Sequence, residues 1–139
     1  MKIINEKIEL RTKGTGDLID ITDKIFSIVG SSGLKKGQVT VFVTGSTAAI
    51  TTFEFEPGLT KDIRELCEKL IPSKEHYHHD DTWGDANGFS HLRASLFGGS
   101  LVIPFEAGRL VLGTWQQVVL AEFDTSPRER HVTVQIIGE

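Results

Sequence analysis

The chain has 139 residues, 39% of them hydrophobic and 24% charged, with a formal net charge of -4. That size suits one domain over residues 1–139 with a packed core, and the composition excludes a disordered or fibrous chain. The acidic balance argues against nucleic acid as a partner, since gripping phosphates needs clustered Lys and Arg; no apolar run nears the roughly 20 residues that span a bilayer, so no membrane is expected and the cytoplasm is the expected location.

The opening run KIINEKIELRT alternates apolar and polar residues with period two and predicts a half-buried strand. After GTGD, with Thr15 or Asp17 as cap, LIDITDKIFSIVGSSG repeats Ile19, Ile21, Ile25, Phe26 and Val29 at helical spacing, which predicts a helix stopped by Gly30 and Gly33. Residues 37–44 and 48–56, GQVTVFVT and AAITTFEFE, are rich in β-branched and aromatic side chains and predict two central strands joined through GST. PGLTKDIRELCEKLIP predicts a helix between Pro57 and Pro72, with Cys67, the only cysteine, as a small core residue rather than a reactive thiol.

The stretch HYHHDDTWGDANGFSH, 76–91, holds four of the five histidines and reads as a polar loop. GFSHLRASLFG then resumes helical spacing, and SLVIPFEAGRLVLGTWQQVVLAEFD breaks into strands around the turn EAG before HVTVQIIGE closes as a last strand. Strands grouped in this way give an α+β class rather than a regularly alternating one.

Four features carry chemistry. In the histidine stretch at most two of His76, His78 and His79 can face one point. His78 or His79 could meet His91 and, with Asp62, Glu54 or Asp80, suit a divalent transition metal, although no compact zinc motif is present; a metal-free polar site and a solvated loop are the other readings. His76 and His131 are left out. GTWQQ at 113–117 places Thr114 and Gln116 on one face of a strand, with Trp115 turned the other way toward the core. Gly45, Ser46 and Thr47 form a turn whose backbone amides can bind an anion. Glu122 and Asp124 share a strand face just before Arg128 and Arg130, which reads as an exposed ion-pair network or as a phosphate-receiving group.

Taken together, residues 100–124 with STAAITTFE, YHH, NGFSH and the closing PRERHVTVQIIGE resemble the YjbQ-like family, described as secondary thiamine-phosphate synthases, over nearly the full chain. The resemblance implies an α+β protein built on β-sandwich-like sheets flanked by helices and assembling as a homotrimer. Its implied activity is the weak joining of hydroxymethylpyrimidine diphosphate to thiazole phosphate with release of pyrophosphate. Carried over, the family's polar cluster falls on Glu54, Asp62, His79, Asn87 and His91, with Thr47, Thr114, Trp115, Gln116, Glu122 and Arg128. Many members have a histidine in the turn where this chain has Gly45.

In the mechanism this implies, His79, His91, Glu54 and Asp62 hold a metal or polarise a bound group, and Asn87 and Gln116 orient substrate. Arg128 with the Ser46 and Thr47 amides receives phosphate, beside Thr114 and Trp115. The cofactor left open is a divalent ion, magnesium or zinc, on His79, His91 and Asp62. The alternatives are a trimeric binding protein for a small anionic metabolite or metal, and a metal-dependent phosphate-ester hydrolase.

Overall fold

The structure is a computed structural model that describes residues 1–139. Eight strands and four helices follow in the order β1 (Lys2–Arg11), β2 (Leu18–Asp20), α1 (Thr22–Ser31), β3 (Lys36–Val43), β4 (Ala48–Phe53), α2 (Pro57–Leu70), α3 (His78–Trp83), α4 (Gly88–Phe97), β5 (Ser100–Glu106), β6 (Arg109–Leu110), β7 (Gln117–Glu122) and β8 (Glu129–Gly138). The strands form a five-stranded sheet in the order β1-β8-β3-β5-β6 and a three-stranded sheet in the order β2-β7-β4, antiparallel at every pairing.

Period-two patterning explains how these layers stack. Ile8 and Leu10 of β1, Val39, Val41 and Val43 of β3, and Val132, Val134 and Ile136 of β8 turn one face of the large sheet inward. There they meet Val118 and Leu120 of β7, Ile50 of β4, and Ile25 and Val29 of α1. The alternate residues of the small sheet, Val119 and Ala121 of β7 and Ala49 of β4, face a second core with Cys67 of α2, Ala94 of α4 and Phe123. β7 is therefore buried on both faces, which is why QVVLAE reads as a nearly continuous apolar run.

Three expectations need correction. Leu18–Asp20 is not the first turn of a helix but a short strand paired with Val119–Ala121, and α1 begins only at Thr22, whose amide and hydroxyl both donate to Asp20 Oδ1. β3 is central, but β4 lies at the edge of the small sheet, because GST carries the chain from one sheet to the other. Gly113–Gln116 is a turn before β7, and Trp115 is 70% exposed rather than in the core.

Candidate functional site

The histidine stretch is shaped by one carboxylate. Asp80 accepts from the amides of Tyr77 and Gly88, both at 2.9 Å, so it fixes the start of α3 and the start of α4 together. Those two hydrogen bonds, the Tyr77 amide's first, hold its carboxyl below the usual range. The helices approach so closely that a Cβ at Gly88 would stand 2.7 Å from the Tyr77 Cβ, which requires glycine there. The outcome is that His79 of α3 and His91 of α4, both half-buried, bring their rings to 4.4 Å between centroids at 57°. His78 and His76 are exposed, and His76 Nε2 lies 2.9 Å from Asp81.

One turn before His91, at the start of α4, Asn87 Oδ1 is enclosed without a hydrogen-bond partner, and so is Ser90 Oγ. A buried polar atom left unpaired costs about 1–3 kcal/mol, so such groups are few in a folded chain. The Asn87 amide also helps to hold the Asp124 carboxylate. Burial pushes the pKa of Asp124 up, but the Thr125 amide, the Thr47 hydroxyl, the charge of Arg128 and the Asn87 side chain outweigh it, leaving the carboxyl below its usual range.

From Asp124 the network runs inward. Thr47 Oγ1 donates to Asp124 Oδ2 at 3.0 Å and accepts from Arg130 Nη2 at 2.7 Å. Arg130 clasps Glu122 through Nε and Nη2 at 2.7 and 2.5 Å, while Thr12 Oγ1 and the Asp124 amide fill the remaining positions of that carboxylate. Glu122, fully buried and accepting four hydrogen bonds, has no lone pair left for chemistry; it is a structural counter-ion. The expected exposed ion-pair network is thus a buried one. Arg128 is half-exposed, with its Nε 3.7 Å from Asp124 Oδ2.

Thr12 and Ser90 are the members that residue chemistry missed; Asp124 and Arg130 were in view as a cluster with Glu122 and Arg128, but their burial was not, although for Arg130 and Thr12 the signal was available. Arg130 is in period-two phase with Val132, Val134 and Ile136, as Thr12 is with Ile8 and Leu10, so both must point toward the core. Arg93, on the helical face that also buries Phe89, was missed as well. It donates to the Ile71 carbonyl and to Glu68, tying α4 to the end of α2. The Ser73 amide and then Arg93 lower the Glu68 carboxyl to about 2.

The other sequence candidates lie elsewhere. Glu54 follows β4 and Gln116 precedes β7, and because Ala48 pairs with Glu122 while Phe53 pairs with Gln117, they sit at the far end of that ladder. Five residues of strand separate the ends by about 17 Å. Gln116 Nε2 donates to Thr52 Oγ1 there, and Glu54, Thr114, Trp115 and Gln116 are all exposed. Asp62 is exposed on α2, and no group of three or more His, Cys, Asp or Glu side chains converges anywhere in the chain. Two of the three expected metal donors, His79 and His91, meet; one chain does not complete the set.

Comparison with known proteins follows the same outline. The family model described as UPF0047 protein YjbQ-like matches residues 6–139. A UPF0047 protein of Archaeoglobus fulgidus is 41% identical over 131 residues, 94% of this chain and 99% of its own, and one of Methanothermobacter thermautotrophicus is 39% identical over 139 residues, 100% of this chain and 95% of its own. The crystal structure of a YbjQ-like protein from Sulfolobus solfataricus P2 is 37% identical with a TM-score of 0.92 and 99% coverage of both chains.

Proposed function

The chain belongs to the YjbQ-like UPF0047 family, and from that premise we propose that it acts on a small phosphate-bearing metabolite at the near end of the β4–β7 ladder, with thiamine-phosphate synthesis as the reaction. The observation that carries this reading is the His79–His91 pair together with the enclosed, unpartnered Asn87 Oδ1 and Ser90 Oγ in the same first turn of α4. A half-buried imidazole pair can exchange protons, and unpaired polar atoms are poised to take a ligand's hydrogen bonds.

In the reaction, the thiazole nitrogen forms a bond to the methylene carbon of hydroxymethylpyrimidine diphosphate as the carbon–oxygen bond breaks and its electron pair leaves with pyrophosphate. His91, with His79 beside it, supplies a proton to the departing oxygen. Asn87 orients the pyrimidine, and Arg128 with the Ser46 and Thr47 amides receives phosphate, charge placed where charge develops. Glu54, Thr114, Trp115 and Gln116 are too far along the ladder to join this site within one chain, so they serve the site of a neighbouring copy in a homotrimer. Exposed Leu66, Leu70, Leu92 and Leu96 on α2 and α4 supply apolar surface suited to such an assembly. A divalent ion on His79 and His91 would draw its remaining donors from outside the chain.

The test is to incubate the protein with both substrates and follow thiamine phosphate and pyrophosphate together, with sedimentation to give the assembly. Equimolar appearance of both products is expected, and elemental analysis of the parent beside His79→Ala and His91→Ala shows whether metal depends on the pair. A second reading, a binding protein for a small anionic metabolite, draws on the same unpaired atoms. It requires the diphosphate to raise the melting temperature without product.

A further inference from the structure

Arg130 has five N–H donors, and its environment uses those on Nε and Nη2. Nε and Nη2 are spent on Glu122 and Thr47, whereas Nη1 donates to nothing in the chain. The only side-chain polar atoms both fully enclosed and unpartnered are Asn87 Oδ1 and Ser90 Oγ, so Nη1 keeps an opening to solvent although the side chain as a whole is 4% exposed. That opening lies at Gly45: a Cβ built there would stand 2.8 Å from Nη1, and apart from the glycine's own chain neighbours only the guanidinium carbon is also within 4 Å. Gly45 also has φ +124°, a conformation that side-chain-bearing residues rarely adopt. In the same turn, where Gly45 and Ser46 are exposed and Thr47 is buried, the backbone amides of Gly45, Ser46 and Thr47 make no hydrogen bond within the chain.

We propose that the free Nη1 edge of Arg130, reached through the gap at Gly45 and joined by the unpaired amides of residues 45–47, is a subsite for an oxyanion of a phosphate or pyrophosphate group. Glu122 fixes the guanidinium in place through two hydrogen bonds, so the edge is presented without loss of side-chain freedom on binding. The half-exposed Arg128, tethered to Asp124, is the outer cation. Formal charges of Arg128, Arg130, Glu122 and Asp124 cancel, so attraction comes from short charge-assisted hydrogen bonds rather than from a long-range field. Affinity should be modest and should respond to salt only mildly. The inference rests on the reading of this cluster as a ligand site but not on turnover, and it makes Arg130 rather than Arg128 the principal phosphate-binding arginine.

The experiment is calorimetric titration of the full chain with inorganic phosphate and with pyrophosphate, in the parent, Gly45→Ala and Gly33→Ala. Gly33 has φ +73° with nothing within 4 Å of its Cβ position, so Gly33→Ala adds backbone strain without crowding. The parent should bind pyrophosphate, Gly45→Ala should bind it about tenfold more weakly or worse, as expected for one charge-assisted hydrogen bond lost, and Gly33→Ala should match the parent. No binding by the parent, or parent-like binding by Gly45→Ala, overturns the proposal. Should Gly45→Ala fail to fold, the arginine side-chain 15N resonances of the parent decide: Arg130 shifting on pyrophosphate addition is expected, and an unmoved Arg130 overturns the subsite. Binding without thiamine phosphate formation would sink the synthase reading alone; product formation with an unmoved Arg130 would sink the subsite alone.

Discussion

The two ends of the β4–β7 ladder carry polar residues of the same kinds and treat them in opposite ways. At the near end Glu122, Arg130, Thr47 and Asp124 are buried and joined by hydrogen bonds. At the far end Glu54, Thr114, Trp115 and Gln116 stand in solvent, with the Gln116 side chain bonded only to the Gly113 amide and to Thr52. Side-chain type did not decide this. What decided it was register: the near end lies where β7 runs out between two cores and α4 starts against it, so every polar group there must find a partner or be left unpaired. The near-end hydrogen bonds fix Glu122, Arg130, Thr47 and Asp124 relative to one another, the kind of support a site needs.

The comparison breaks most severely at Glu122. Replacing it with Ala leaves Arg130 as a buried, uncompensated charge and should cost about 3–5 kcal/mol in urea denaturation; a loss under about 1 kcal/mol would mean that the near end is not the scaffold described. Next is Asp80→Ala, which strips partners from the Tyr77 and Gly88 amides. A loss of about 1–2 kcal/mol is expected, with the His79 and His91 resonances losing their mutual ring-current shifts in NMR spectra.

Smaller still is the effect of acid on the α2–α4 tie. Glu68 has its carboxyl lowered to about 2, first by the Ser73 amide and then by Arg93. Its folded value lies below its unfolded one, so its stabilisation is full above about pH 4.5 and disappears as pH falls toward 2. Its side chain is 50% exposed, so solvent screening keeps the contribution under about 1 kcal/mol. Glu68→Gln should flatten the stability curve over that window, and an unchanged slope would remove Glu68 from the account. The smallest effect belongs to the far end: Trp115→Ala should change folding stability by no more than about 0.5 kcal/mol, and a larger loss would show that Trp115 is held by contacts within the chain.

Much of this could be read from the sequence, and the places where it could not have physical causes. Strong periodicity placed β1, β3, α2, α4 and β8, and the α+β class followed from their order. Leu18–Asp20 was absorbed into a helical pattern because a three-residue strand is too short to show its own period, and only its pairing with Val119–Ala121 defines it. His79 and His91 were legible as candidates: residue chemistry left His78 and His79 open and the resemblance pointed to His79, but the reason His79 faces His91 is α3, a six-residue helix fixed by Asp80. The enclosed state of Asn87 and Ser90 was not legible at all, since it depends on how α4 meets the chain beyond β7.

The most direct test of the central claim, that the near end is a frame for the chemistry of the histidine pair, is to measure stability and turnover on one preparation of His91→Ala. The account predicts a folding free energy within about 1 kcal/mol of the parent and thiamine phosphate formation lowered by about 100-fold or more, the typical share of a group that transfers a proton. Formation at the parent rate by a folded His91→Ala would contradict it.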